Sequence, residues 1–319
     1  MPNAAVSWLL ETGNPAIQHR TKTELLGQED DPYAAFKWIA DKLPEDWYRA
    51  KGLWYVYYVN ALAECGLDRS MMPPVWFEAA MERLGAGSLR LSLPAMGLLE
   101  AETAMKRKGA GFDFGCEAFL LLQALVSLGF GEEPEVQRIF ATLPDGSLPD
   151  GGFLCERRKS KLDYVPKSCY KADYYALRLC ACCRKKGIAL GIEERLVSYF
   201  LGRNLLFRRG EPDRLVLDDK AGWRNADAFY PFEPMRVGIQ NIMETVSALG
   251  YGNAPEAAAG WQYLNATKDS MGRVILAGTM TKSYLPKEKV GKPSQWATFY
   301  ALLAEKERGE LHMPVLGDN

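Results

Sequence analysis

Two stretches of this chain align with each other without a gap. SLGFGEEPEVQRIFATLPDGSLPDGGFL begins at Ser127, and ALGYGNAPEAAAGWQYLNATKDSMGRVIL begins at Ala248. Gly129, Gly131, Pro134 and Glu135 match Gly250, Gly252, Pro255 and Glu256, and Phe140, Leu143 and Gly151 match Trp261, Leu264 and Gly272. Every pair is 121 residues apart, so a repeated structural unit has to be accommodated by any fold proposed for the chain.

Half that period recurs as well. Apolar stretches of helical length stop at Gly66, Gly129, Gly187, Gly250 and Gly309, with spacings of 63, 58, 63 and 59 residues. A glycine just past a helix takes the left-handed conformation that closes the last carbonyls. Second helices opening on proline or carboxylates follow most of these glycines, as in PPVWFEAAMERL, EEPEVQRIFATL, GIEERLVSYFLGRNL and APEAAAGWQYLN. NPAIQHRTKTELLG reads as one more second helix, preceded by AAVSWLLETG.

The first helices, such as LWYVYYVNAL and AFLLLQALVSL, are apolar nearly all round and therefore buried on every side, while the second helices are amphipathic. An inner ring of helices inside an outer ring satisfies both patterns. The expected fold is all-α, an α/α toroid of five to six helical hairpins of about 60 residues, with residues 1–319 forming a single domain. Strand signals are short: LRLSL at 89–93, RLVL at 214–217 and RVIL at 273–276, each expected to form a small hairpin or nothing regular.

Composition removes several classes of function. Lys and Arg number 39 against 40 Asp and Glu, which argues against a basic nucleic-acid-binding face. Only two histidines, His19 and His312, are present, so multi-histidine metal sites and most histidine catalysis are excluded. No stretch is long and apolar enough for a membrane span, and the N-terminus does not read as a signal peptide. Seven cysteines, an odd number, read as reduced thiols, and the expected location is the cytoplasm.

Asp150-Gly151-Gly152-Phe153, followed after a loop by Ser168-Cys169-Tyr170 and an apolar helix, resembles the repeat of the α/α toroid superfamily of terpenoid (squalene-type) cyclases and protein prenyltransferase β subunits. Small bacterial squalene-cyclase-like and prenyltransferase-like proteins look nearest to it. The resemblance implies the toroid and an isoprenoid or similar apolar ligand in its centre. The family's chemical motifs differ here. There is no Asp-x-Asp-Asp acid motif; Glu29-Asp30-Asp31-Pro32 lacks the last residue of an Asp-Asp-x-x-Asp helix; and Lys167 stands where the zinc-binding enzymes have Asp two residues before their Cys.

In a ring of hairpins, the segments entering the inner helices share one end. These are 43–52, 108–116, 150–169, 217–236 and 279–294, long and rich in aromatic and polar residues. Cys116 and Cys169, at inner-helix starts where a thiol's pKa is expected to fall, are candidate nucleophiles. With Cys155 they make a candidate zinc or thiolate cluster. Asp113 and Asp219 are candidate catalytic acids, although Asp113 also suits a helix cap. Arg157, Arg158, Lys167 and Lys171 would meet an anionic head group. Tyr170, Tyr174, Trp223, Tyr230 and Tyr284 would wall an apolar ligand.

The expected function is thus that of a terpenoid-cyclase-like or prenyltransferase-like protein. It would bind an isoprenoid or other apolar small molecule in an aromatic-lined cavity, with transferase or cyclase chemistry at the mouth. The alternatives are a zinc or reactive-thiol protein centred on Cys116, Cys155 and Cys169, and a non-catalytic scaffold that kept the toroid.

Overall fold

The structure is a computed structural model, and it describes residues 3–50, 53–91, 116–144, 146–148, 151–153, 168–208, 211–215, 237–278 and 288–309. The described chain is helical, as the patterning requires. It divides into two compact units, each assembled from separated segments. None of its helices is long and apolar enough to cross a membrane, among the described residues.

The first unit comprises Met1–Pro44, Glu64–Leu67 and Leu201–Asn319. Its N-terminal helices are α1 (Ala4–Glu11), α2 (Pro15–Arg20, continued by a wider turn over Thr21–Leu25) and α3 (Tyr33–Ala40). Asn3 caps α1 by accepting the N–H of Ala5 at 3.0 Å. Asn14 caps α2 by accepting that of Ala16 at 3.1 Å, with Pro15 pre-set for the first turn.

The second unit comprises Glu45–Ala63 and Asp68–Phe200. Three long helices, α4 (Leu53–Glu64), α6 (Cys116–Ser127) and α8 (Tyr170–Lys185), alternate with α5 (Pro74–Leu91), α7 (Pro134–Phe140) and α9 (Glu193–Leu201). Buried residues run without interruption from Phe119 to Val126 on α6 and from Tyr170 to Ala181 on α8. By contrast, α7 and α9 bury one face. Aromatic side chains pack into this unit's core. Trp76 lies against Trp47 and Phe130 with ring centres 6.4 and 5.0 Å away, and the hydroxyl of Tyr55 donates to Trp76 O at 2.8 Å.

The rest of the first unit holds a small antiparallel pair, β1 (Phe207–Arg208) and β2 (Glu211–Leu215), then α10 (Ile239–Ala248), α11 (Ala258–Ala266) and α12 (Gln295–Glu307). α10 lies along α12, and beyond their ends Asn253 donates to Arg308 O at 3.2 Å. The three expected strand segments fare differently. Leu89–Leu91 are helical, the end of α5. Arg214 and Leu215 belong to β2, while Val274 and Ile275 make isolated bridges to Lys268 and Pro293.

Each glycine expected to end a first helix has the backbone for it: φ is 75° at Gly66, 88° at Gly129, 73° at Gly187, 87° at Gly250 and 83° at Gly309. After three of these helices the hydrogen bonds are the same. Phe130 N–H reaches Leu125 O at 2.8 Å, Ile188 N–H reaches Cys183 O at 2.9 Å, and Tyr251 N–H reaches Val246 O at 3.0 Å. The turns at Gly151 and Gly272 also match. Leu148 N–H donates to Gly152 O at 2.7 Å, and Asp269 N–H donates to Arg273 O at 2.9 Å.

Candidate functional site

α6 and α8 run parallel, side by side. Cys116 begins α6 and Cys169 is the N-cap of α8, near enough for the Cys169 thiol to act on that of Cys116. At the far end Ser127 Oγ donates to Cys182 Sγ at 3.8 Å, across a register of 55 residues. Cys116 and Lys171 obey the same register, and the Lys171 ammonium acts on the Cys116 thiol.

The start of α8 is tied to the preceding turn at two points and closed by its own first-turn bond. Cys169 N–H donates to Phe153 O at 2.8 Å, Phe153 N–H donates to Asp173 Oδ1 at 2.6 Å, and Cys169 O accepts from Asp173 N–H at 2.9 Å. Gly152 admits this close approach, because a Cβ there would stand 2.4 Å from Ser168 Cβ and 2.6 Å from Asp173 Oδ1. The first turn of α12 repeats the construction. Ser294 N–H donates to Val274 O at 2.9 Å, and Val274 N–H donates to Thr298 Oγ1 at 2.9 Å.

Of the residues expected from the sequence, Cys116, Cys169, Tyr170, Lys171 and Tyr174 therefore gather at the paired starts of α6 and α8. Cys116, Tyr170, Lys171 and Tyr174 are buried and Cys169 is half-buried. The Tyr170 ring meets Phe200 at 5.1 Å, and Tyr174 meets Tyr175 at 5.2 Å. Asp113, Cys155, Arg157, Arg158, Lys167, Asp219, Trp223, Tyr230 and Tyr284 lie outside the described residues.

Electrostatics corrects one expectation. Burial pushes the Cys116 thiol up to about 12, and the neighbouring Cys169 adds to the rise. Lys171 and the helix start pull the other way and lose, so this thiol is protonated at neutral pH rather than activated. Burial likewise raises Cys65, Cys180 and Cys183, which sit in the packed interior as their helix positions suggest. Among the described residues no three His, Cys, Asp or Glu side chains converge in a way that would hold a metal ion. The described residues therefore do not by themselves fit a zinc site, whose third sulfur would be that of Cys155.

Sequence reasoning missed three features. Asp173 looks like an ordinary acid in a first helical turn, yet it is wholly buried and holds the turn at Phe153. Asn60 on α4 and Gln123 on α6 each lie six residues before a helix-ending glycine, Gly66 and Gly129, and both are buried.

The third lies in the first unit, where buried Arg20 donates to Glu64 O at 3.1 Å, to the Tyr300 hydroxyl at 2.9 Å and to Glu24 Oε2 at 2.9 Å. Its guanidinium stands 4.4 Å over the Phe299 ring, and Tyr300 in turn donates to Glu64 Oε2. The signal was available: Glu64 and Arg20 are charges on helices that also carry buried faces, and such charges need partners.

No family model, curated protein or solved structure matches this chain.

Proposed function

We propose that the chain binds an isoprenoid or other apolar small molecule, with the anionic end of that molecule at the paired starts of α6 and α8. In this reading its helical hairpins are those of an α/α toroid of terpenoid-cyclase or prenyltransferase kind. The supporting observation is the gathering of Lys171, Cys169, Cys116, Tyr170 and Tyr174 at two parallel helix starts. Helix starts favour an anion, the Lys171 ammonium adds a charge, and the tyrosines supply apolar surface with polar tips. The shared glycine geometry at the ends of the first helices supports the toroid half of the proposal.

The protonated state of Cys116 bears on chemistry. A neutral buried thiol is a poor nucleophile, so the reading places binding at this site and leaves any transferase or cyclase step to the carboxylates of the mouth segments. Native mass spectrometry of the protein purified from its own host tests the reading: a retained apolar ligand supports it, and a ligand-free chain that also fails to take up a prenyl diphosphate contradicts it. A second reading, a zinc or reactive-thiol centre on Cys116, Cys155 and Cys169, is favoured by the nearness of the Cys169 thiol to Cys116. One equivalent of zinc in the same spectrum, lost on Cys155→Ser, would select it.

A further inference from the structure

Two buried amides of the second unit, Asn60 on α4 and Gln123 on α6, each keep an unsatisfied oxygen. Asn60 Nδ2 donates to Val56 O at 2.8 Å on its own helix and to Leu120 O at 3.1 Å on α6. The carbonyl of a helical residue points toward residues three and four further on, so this bond sets the Asn60 amide against the turn that carries Gln123. Asn60 is 7% exposed and Gln123 2%, and neither Asn60 Oδ1 nor Gln123 Oε1 has a hydrogen-bond partner. A buried amide oxygen left unpaired costs about 1–3 kcal/mol, so two on turns joined by the Asn60–Leu120 bond mark a position built to receive a donor.

The position is fixed relative to the proposed anion end. Gln123 lies seven residues after Cys116, two turns along the same face of α6 and about 10 Å deeper. On α8 the residue level with it, by the 55-residue register, is Arg178, which is likewise two turns beyond Lys171 and buried. The seam between the helices thus has the Lys171 ammonium and the Asp173 carboxylate at its Cys116 end and a polar level at Gln123 and Arg178.

We propose that Asn60 and Gln123 form the inner polar end of the ligand site, accepting a hydroxyl or N–H group that the ligand carries about 10 Å from its anionic end. This inference rests on the reading above and narrows it: the ligand is a bipolar molecule with an apolar middle, not a plain hydrocarbon chain on a head group. A site built to hydrogen-bond a hydroxyl discriminates against the analogue lacking it, because its own polar groups are then left unpaired.

Titration calorimetry of the full chain with 10-hydroxydecanoate and with decanoate tests it, since these probes share the carboxylate and chain and differ in one hydroxyl. The expected result is about five- to tenfold tighter binding of the hydroxylated probe, the worth of one hydrogen bond. Gln123→Met, which removes an unpaired amide at nearly constant shape, should erase that preference, with circular dichroism confirming the fold. Equal affinity for the two probes, or a preference that survives Gln123→Met, overturns the inference and leaves the proposed function standing. Binding of neither probe removes both.

Discussion

Asp173, wholly buried in the first turn of α8, accepts the backbone N–H of Phe153 at 2.6 Å through Oδ1. Thr298 takes the same part for Val274 at the start of α12, with a neutral hydroxyl in place of the carboxylate. The two contacts hold equivalent turns against equivalent helices, so removing them makes a graded experiment. Asp173→Ala and Thr298→Val each strand a buried N–H at about 1–3 kcal/mol, and the charge-assisted bond lost with Asp173 puts its variant at the upper end of that range. Chemical denaturation of both variants checks the order, and equal or negligible costs would count against the clamp.

The glycine turns separate two causes of intolerance. At Gly129 φ is 88° and nothing lies within 4 Å of an added Cβ, so Gly129→Ala carries the left-handed backbone penalty alone, about 1–2 kcal/mol. At Gly252 an added Cβ would meet Ser247 Oγ at 2.5 Å and Arg308 Cβ at 2.9 Å, with no positive φ involved. Gly252→Ala should therefore be rescued in part by Ser247→Gly, while Gly129→Ala should have no such rescue. Thermal melts of the single and double variants decide between them.

Alkaline pH should destabilise the chain through its buried thiols. Burial holds Cys116 protonated up to about 12 in the folded state, against 9.0 for a free thiol, and shifts Cys65, Cys180 and Cys183 in the same direction. Below about pH 9 both states keep these protons and stability is unaffected. Above it the unfolded chain loses them first, so stability falls by up to about 1.4 kcal/mol per pH unit for each thiol, for Cys116 until about pH 12. Urea midpoints between pH 8 and 11 should drop accordingly, and Cys116→Val should make the slope shallower. A flat profile would mean that the thiols are solvated.

How far the sequence could be read depended on the scale of the signal. Gly66, Gly129, Gly187, Gly250 and Gly309 were legible because a helix end is a local backbone problem with few solutions, and glycine is the commonest. The gathering of Cys116, Cys169 and Lys171 followed from the same hairpin logic. Asp173 was not legible, since its partner is a backbone N–H twenty residues earlier and a backbone group leaves no side-chain signature. Arg20 was read as part of an amphipathic outer helix because its partners, Glu64 and Tyr300, are far away in sequence. Tyr170 and Tyr174 lie at the start of α8 but are buried against Phe200 and Tyr175, and ring burial of that kind is a tertiary outcome that residue type alone does not encode.

The network on Arg20 predicts an asymmetry. Arg20→Met removes the cation beside the buried Glu64 carboxylate, and breaking a buried pair from one side costs about 3–5 kcal/mol. Tyr300→Phe removes one hydrogen bond to a charged group on each side and should cost about 1.5–3 kcal/mol. Equilibrium unfolding of the two variants should preserve that ranking.

The most direct test of the account is calorimetric titration of farnesyl diphosphate into the wild-type chain and into Lys171→Met. Saturable one-to-one binding with a negative heat-capacity change, the mark of apolar burial, together with a loss of at least tenfold in affinity on Lys171→Met, is the predicted result. Absence of saturable binding to the wild-type chain, or undiminished affinity in the variant, would contradict a ligand site at the starts of α6 and α8.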